Sequence, residues 1–204
     1  MFRLFRSLCN VIGFLVLLLF GLYFFRESLG KYLLEWSIRH FTSFALQIDQ
    51  VKMPAQLPIQ LTAQKLFLTN PIDFPRPEAA TISQLDLVTA EKVWEQNQLQ
   101  IAKISITLEE LVITKTPSSG INVTRLATLP SSSFSKSFID IQTVEFFLPK
   151  IIYYDYSQSS NPQPVTYPLD DQPHYFYHLH HFSEIPAQIA RYALEKSSLL
   201  PATP

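Results

Sequence analysis

The segment Gln98-Leu-Gln-Ile-Ala-Lys-Ile-Ser-Ile-Thr-Leu-Glu-Glu-Leu-Val-Ile-Thr114 decides the fold. Apolar and polar residues alternate along it, as in a β-strand that buries one face. The successive apolar sets are Leu99 and Ile101, then Ile104, Ile106 and Leu108, then Leu111 and Ile113. The parity of the alternation therefore slips twice, and each slip turns later side chains to the opposite face unless a bulge absorbs it. The segment predicts bulged, strongly twisted strands, or a sheet with apolar side chains on both faces.

Other strand patterns flank this segment. A period of two residues begins after Gln47, and similar stretches cover residues 81–89 and 138–156. Most connections between them are short enough for antiparallel pairing. Helical spacing of apolar residues occurs at 27–44 and again after Ser183. We therefore predict an α+β fold: a strongly twisted, mainly antiparallel sheet with one amphipathic helix before it and one helix at the C-terminus.

The N-terminal part of the chain is strongly apolar. The residues from Ser7 to Phe25 carry no charged side chain and follow Arg3 and Arg6. As a helix they would extend about 28 Å, close to the hydrocarbon thickness of a bilayer. A cleaved secretory signal would need a shorter apolar core and a small-residue cleavage site, and no such site follows Phe25. The run predicts a single-pass transmembrane helix with a cytoplasmic N-terminus.

These boundaries predict four parts: a cytoplasmic start and transmembrane helix at 1–25, an amphipathic juxtamembrane helix at 26–45, a β domain at 46–182, and a C-terminal helix at 183–200. The stripe of the second part includes Tyr32 and Trp36. Either this stripe packs on its own domain, or both aromatic side chains lie in the headgroup layer of the bilayer. The single cysteine excludes an internal disulfide, and the formal net charge of −1 gives no electrostatic case for nucleic acid.

A sheet with apolar side chains on both faces needs more cover than two helices provide. The cover can be the sheet curling on itself, a partner, or lipid. An open groove would hold acyl chains at about 0.8 kcal/mol per buried methylene. The candidate lipid-facing residues are Leu99, Ile101, Ile104, Ile106 and Leu108.

Two motifs of the chain resemble those of a known family. The first is Leu66-Phe-Leu-Thr-Asn70-Pro71-Ile-Asp73-Phe74, and the second is Gly120-Ile-Asn122-Val-Thr-Arg-Leu126. With the apolar run before them, they resemble the N-terminal region of AsmA-like proteins, where a strand ends in Asn-Pro-x-Gly-Phe and a Gly-x-Asn-x-x-x-Leu element follows two further strands. Asp73 stands where glycine is usual. The matching positions are Asn70, Pro71, Phe74, Gly120, Asn122 and Leu126.

The resemblance implies an inner-membrane protein of a two-membrane envelope, with its β domain in the periplasm. It also implies phospholipid binding or transport in envelope or outer-membrane biogenesis. Its partners would be the bilayer, phospholipid acyl chains, and an envelope protein or a second copy. A domain of this size has a radius of gyration of only about 15 Å, so one copy cannot cross a periplasm. The alternative function is a non-enzymatic structural or scaffolding module, similar to the sandwich of late-embryogenesis proteins, that binds no lipid.

The motif residues also have structural roles that do not depend on the family. Asparagine can bond to backbone two residues ahead and proline cannot continue a ladder, so Asn70-Pro71 ends a strand. Gly120 permits a positive φ, and Asn122 can cap the turn before Leu126 packs down. Neither motif supplies a nucleophile, a base or a metal ligand.

The most enzyme-like feature is the histidine cluster His174, His178, His180 and His181. Three of these, all but His181, share strand parity and could converge on a metal, which zinc sites require. No Cys, Asp or Glu accompanies them at a typical spacing, so a polar, aromatic edge strand is the preferred interpretation. Glu109 and Glu110 are adjacent and point to opposite faces of a strand. We therefore predict no catalytic residue, no metal, no cofactor, and a protein that is not an enzyme.

Overall fold

The computed structural model describes residues 25–32, 34–36, 38–39, 42–95, 97–127 and 139–197. The first helix, α1, covers the described residues from 25 to 39. The later elements are β1 (Ala45–Lys52), β2 (Gln60–Thr69), β3 (Glu78–Glu95), β4 (Gln98–Thr116), β5 (Gly120–Ile121), α2 (Thr124–Ala127), β6 (Ile139–Phe147), β7 (Lys150–Asp155), β8 (Val165–Pro168), β9 (His174–Leu179) and α3 (Glu184–Lys196).

No helix in the described part of the chain is long and apolar enough to cross a membrane. The helix nearest the predicted span is α1, whose described residues include five charged ones, Arg26, Glu27, Lys31, Glu35 and Arg39. This finding corrects the predictions of a transmembrane helix and of a single-pass inner-membrane location. The predicted span itself, apart from Phe25, lies outside the described residues.

The nine strands of the described residues belong to one mixed sheet, in which β4 is the central strand. The main order is β1-β2-β3-β4-β6-β9. The first four strands pair antiparallel, whereas β6 and β7 both run parallel to β4. The prediction of a mainly antiparallel fold class is therefore corrected to a mixed sheet. Strand β6 begins opposite Leu99, at the starting end of β4, so it runs in the same direction as β4 and the two strands form a parallel pair.

The two parallel neighbours of β4 keep one register. Leu99 lies opposite Ile139, and Lys115 lies opposite Asp155, so the offset along the chain is the same for β6 and β7. Together they form one long strand that is interrupted at Leu148-Pro149. Proline has no N–H for a ladder, which suits it to this break. The break separates the outer partners, because β9 pairs with β6 and β8 pairs with β7.

Register shifts between β3 and β4 coincide with the slips in apolar parity. One shift leaves Ala102 without an opposite residue, and another leaves Glu109 without one. Each bulge returns the next apolar side chain to the same face. As a result, one buried cluster contains Ile101, Ile104, Ile106, Leu108, Leu111 and Ile113. The prediction of bulged strands is confirmed.

Helices cover this inner face of the sheet. The main cluster joins β4 and β6 to five residues of α3, Ile185, Ile189, Ala190, Ala193 and Leu194. A smaller cluster joins Ile48, Val51, Ala63 and Leu66 of β1 and β2 to Leu34 of α1. The side of α1 that faces the sheet therefore carries Leu34 and Ile38. Of the predicted stripe, Leu29, Tyr32 and Trp36 are exposed, whereas Phe44 is buried in the main cluster.

The opposite, outer face of the sheet is mainly polar where β3, β4, β6 and β9 lie side by side. Its aligned side chains on β3, β4, β6 and β9 include two apolar ones, Val88 and Phe147, and the polar or tyrosine side chains Gln84, Asp86, Lys103, Ser105, Thr107, Thr143, Glu145, Tyr175 and Tyr177. Lys103 forms a salt bridge with Glu145, and the hydroxyl of Tyr175 donates a hydrogen bond to Glu145 at 3.1 Å. The two faces thus differ in polarity, with the inner face apolar and this part of the outer face mainly polar.

Ile104→Ala should lower the free energy of unfolding by about 2–4 kcal/mol, because it leaves a cavity in the main cluster. The matched control is Thr107→Ala, an exposed position on the outer face of the same strand, where we expect a change below about 0.5 kcal/mol. Denaturant unfolding followed by circular dichroism measures both changes. If both variants lost equally little free energy of unfolding, the assignment of Ile104 to the buried face and Thr107 to the exposed face would be wrong.

Candidate functional site

The two motifs meet through their asparagines. The side-chain amide of Asn122 donates hydrogen bonds to Oδ1 of Asn70 at 2.7 Å and to the carbonyl of Val112 at 2.9 Å. Its Oδ1 accepts a hydrogen bond from the backbone N–H of Thr114 at 2.9 Å. Asn122 is fully buried, and every hydrogen-bonding atom of its side chain has a partner. We call Asn70 and Asn122 the asparagine pair.

Asn70 completes this network on the side of the first motif. Its side-chain amide donates to the carbonyls of Arg76 and Glu78 at 3.0 and 2.8 Å, and its backbone N–H donates to the carbonyl of Pro77 at 2.7 Å. The asparagine therefore closes the loop that Pro71 opens, and it ends β2 as the sequence indicates. In both turns, the asparagine side chains bond to backbone groups that have no backbone partner in a strand ladder.

A second link between the motifs is an ion pair. Nη1 of Arg125 donates to Oδ1 of Asp73 at 3.0 Å, and Nη2 donates to Oδ2. The hydrogen bond from Arg125 holds the pKa of Asp73 below its ordinary value. The guanidinium also lies 4.9 Å from the centre of the Phe74 ring. The aspartate that departs from the family pattern thus has its partner in the second motif.

The rest of the second motif forms a tight turn onto the core. Gly120 has a φ of +72°, which glycine adopts without strain, and it begins the short strand β5 beside the end of β4. The backbone N–H of Asn122 then donates to the carbonyl of Thr114 at 3.0 Å. Leu126, in α2, is buried in the main cluster. The motif positions therefore fix the end of β4 against α2.

The candidate lipid-facing residues lie on the covered inner face. Ile101, Ile104, Ile106 and Leu108 are between 0 and 7% exposed, and Leu99 is partly buried against the same cluster. That cluster includes the apolar side of α3. These residues are therefore buried by contacts within the fold, and an acyl chain would have to displace some of those contacts to reach them.

A polar contact fastens α3 to the sheet. The hydroxyl of Tyr192, on α3, lies 2.6 Å from Nε2 of His174 on β9 and donates to Oδ1 of Asp170 at 3.3 Å. The Tyr192 ring also packs edge-on against Phe146 at 5.3 Å. Burial, followed by the nearby Asp170 carboxylate, raises the pKa of Tyr192 to about 12. These contacts join α3 to β9 and to the loop before it, and we call Asp170, His174 and Tyr192 the α3 latch.

The other predicted histidines do not join His174. His178 has a φ of +53°, which breaks the regular alternation of β9, and its side chain is exposed. His180 follows the strand, with Nδ1 3.9 Å from Oδ1 of Asp140. Within the described ranges, no three His, Cys, Asp or Glu side chains are placed to hold a metal. Strand β9 lies at one end of the sheet order, as an edge strand does.

Two surface depressions are lined mainly by polar residues. One of about 580 Å³ is lined by Arg26, Glu27, Lys52, Met53, Pro54, Gln60 and Thr62. The other, of about 290 Å³, is lined by Tyr153, Asp155, Gln158, Ser159, Pro162, Gln163 and Val165. Neither includes a candidate lipid-facing residue. In the second depression, Asp155 accepts hydrogen bonds from Ser157 that lower its pKa to about 2. Its carboxylate is therefore already bonded to a neighbouring residue of the chain.

Asn122→Ala should lower the free energy of unfolding by about 2–4 kcal/mol, because it leaves a buried carbonyl and a buried N–H without partners. Ser118→Ala, at an exposed serine of the same turn, is the matched control and should change little. A double-mutant cycle with Asn70→Ala should give a coupling energy above about 0.5 kcal/mol. If the losses of the two single variants simply added in the double variant, Asn70 and Asn122 would not be energetically coupled.

Tyr192→Phe should lower the free energy of unfolding at neutral pH by about 1 kcal/mol, because it removes the hydroxyl of the α3 latch. The folded pKa of about 12 lies above the ordinary value of 10.0, so this contribution is complete below pH 10 and is lost as pH rises to about 12. The difference between wild type and variant should therefore shrink over that range. Tyr177→Phe, on the exposed outer face, is the control, and a pH-independent difference would contradict the assignment.

Comparison of the chain with protein-family models, with curated proteins and with solved structures finds no match in any of the three. The resemblance to AsmA-like proteins therefore stays a prediction that rests on the two motifs.

Proposed function

We propose that the protein is a non-enzymatic structural or scaffolding module whose apolar interior is closed to lipid. One observation carries this proposal: the side chains that would line a lipid groove share a buried cluster with α3. The apolar face of the sheet is thus used for the fold itself. Binding is left to surfaces rather than to an interior cavity.

The energetics favour a closed inner face. Lifting α3 would expose Ile185, Ile189 and Leu194, each worth about 1.5–3 kcal/mol of burial. The sum is comparable with the whole stability of a typical domain. A phospholipid in a bilayer already has its acyl chains in hydrocarbon, so moving them into the sheet gains little hydrophobic free energy to offset this cost.

The outer face supplies a surface suited to a scaffold. The Lys103–Glu145 ion pair raises the pKa of Lys103 and lowers that of Glu145, so both groups are charged at neutral pH. The hydroxyl of Thr62 donates to Asp86 at 2.6 Å. The hydrogen bonds and the ion pair hold the polar side chains of neighbouring strands in place within two separate groups, one around Asp86 and one around Glu145.

Lipid handling of the AsmA type is the second candidate. The observation that favours it is the meeting of both family-like motifs at the asparagine pair and at the Asp73–Arg125 ion pair. These contacts have structural roles, however, and bear on the fold rather than on a ligand. This second function needs an inner face that opens.

A lipid-transfer assay distinguishes the two functions. Full-length protein should not accelerate the movement of a fluorescent phospholipid between vesicles, and hydrogen exchange of the β4 amides should be the same with and without phospholipid. Tyr192→Phe, which weakens the α3 latch, is the matched variant and should leave transfer unchanged. Protein-dependent transfer that increases in Tyr192→Phe would overturn the proposal in favour of lipid handling.

A further inference from the structure

Strand β9 is an edge strand with a palindromic sequence. It pairs with β6 on one side, and no second strand of the described ranges pairs with it on the other. In an antiparallel ladder, every second residue of an edge strand directs its backbone N–H and C=O away from its partner. Residues 174–178 read His-Tyr-Phe-Tyr-His, which is the same sequence in both directions. The strand is therefore complementary to a second copy of itself in an antiparallel arrangement.

We propose that β9 pairs antiparallel with β9 of a second copy of the chain, about a twofold axis at Phe176. One sheet then continues through two molecules. In this register Phe176 lies opposite its own counterpart, and Tyr175 lies opposite Tyr177 of the second copy. A twofold interface needs the same surface on both copies, which a palindromic strand supplies. Main-chain hydrogen bonds provide the affinity when a strand is added to a sheet edge.

The side chains of β9 suit this pairing on both faces of the sheet. On the outer face, Tyr175 and Tyr177 are 45 and 60% exposed, and their ring centres lie 6.3 Å apart. Aromatic pairs across antiparallel strands are stabilising, so each tyrosine gains an aromatic neighbour from the second copy. On the inner face, Phe176 packs against the main cluster and stacks on Phe146 at 5.2 Å. The centre of the edge is thus held in place before pairing.

Charged groups beyond the strand agree with the same register. Asp171 precedes Phe176 by five residues and His181 follows it by five, so the register brings Asp171 of each copy toward His181 of the other. A carboxylate accepts a hydrogen bond from an imidazole N–H, whether the ring is neutral or protonated. Strand β9 itself contains no Asp, Glu, Lys or Arg. The palindrome and this complementarity are satisfied together only by an identical chain, which favours a second copy over a strand of another protein.

The irregular backbone at one end of β9 limits the length of the new ladder. His178 has a φ of +53°, so the regular part of the edge ends at Tyr177. The closest contacts between the copies are therefore those of residues 175–177. A contact of this length is smaller than a standard protein interface, and we expect weak association that depends on protein concentration.

Two other edges of the sheet are less suited to self-pairing. On β1, the backbone N–H of Ile48 donates to Oε1 of Glu35 at 2.9 Å, so helix α1 already uses part of that edge. Strand β8 has only four residues and ends at Pro168. Short strands and proline are typical of edges that avoid further pairing. Strand β9 is longer and contains no proline.

Register-specific cross-linking tests the proposal. Full-length Cys9→Ser protein has no cysteine, so introduced thiols report only on their own positions. In that background, Tyr175→Cys protein mixed with Tyr177→Cys protein should form a disulfide-linked dimer on mild oxidation. We expect several times the yield of either variant alone, because only the mixed positions lie directly opposite, whereas identical positions are displaced along the strand by about 7–8 Å.

A matched control measures collisions between molecules. Thr107→Cys, at an exposed position on the outer face of β4, is mixed with Tyr177→Cys under the same conditions. A yield from the two β9 positions no higher than this control would overturn the proposal. Equal yields from the mixture and from the separate β9 variants would also overturn it, because they would show association without the predicted register.

A charged edge variant tests the association itself. Tyr175→Lys with Tyr177→Lys places like charges opposite each other across the ladder, at positions exposed in the single chain. Sedimentation equilibrium of the full-length protein should show a mass that rises from 23.5 kDa toward twice that value with concentration, whereas the variant should stay monomeric. Phe67→Lys with Thr107→Lys adds the same charge at exposed positions away from β9 and should associate as the wild type does.

Two results of the sedimentation experiment would contradict the pairing of β9. One is a wild-type protein that stays monomeric at every concentration, and the other is equal association in the charged edge variant. The cross-linking result does not depend on the folding of that variant. Phospholipid transfer is a separate measurement, so failure of the β9 pairing leaves the scaffolding proposal intact, and protein-dependent transfer leaves the β9 pairing intact.

Discussion

Burial of one face of β4 is the constraint on which the rest of the structure depends. The strand is paired on both edges, with β3 on one side and with β6 and β7 on the other, so its register cannot relax locally. Without the bulges at Ala102 and Glu109, part of its apolar set would face solvent and a residue such as Lys103 would be forced inward. Burial of an unpaired charge is prohibitive. The bulges, the covering helix α3 and the polar outer face all follow from keeping this single face apolar.

The asparagine pair meets a different requirement at the far end of β4. There the chain turns sharply toward α2, and the loop after β2 also leaves its ladder, so backbone groups of both turns lose their strand partners. Asn122 and Asn70 supply side-chain partners for Val112, Thr114, Arg76 and Glu78 in one connected network. A buried network of this kind is stabilising only when all its members are satisfied. Two distant turns therefore depend on each other.

Much of the local structure could be predicted from the sequence, whereas its partners could not. Period and parity indicated the strands, the bulges of β4 and a helix at each end, because these follow from which side chains avoid water. The alternation of apolar and polar residues does not identify the neighbour of a strand in the sheet. The parallel pairing of β6 and β7 with β4 could therefore not be predicted from it. The sequence signal that bears on this pairing is the long separation of the two segments, 117–138. The sequence also showed that Ile104 and Ile106 are apolar without showing that α3 covers them. The contacts between Asn70 and Asn122 and between Asp73 and Arg125 span 52 residues each, beyond the reach of any local pattern.

The way the apolar residues are covered decides what kind of function the fold can support. Apolar side chains on β4 and β6 are buried in one cluster with those of α3, so an acyl chain would have to displace contacts that already hold the domain together. Helix α1 differs, because Leu34 and Ile38 are used by the fold while Phe25 and Tyr32 remain largely exposed. Exposed large apolar side chains in one stripe are a surface feature that the stability of the domain does not require. The same physical effect thus buries the apolar face of the sheet in the described part of the chain, while Phe25 and Tyr32 of α1 stay at the surface.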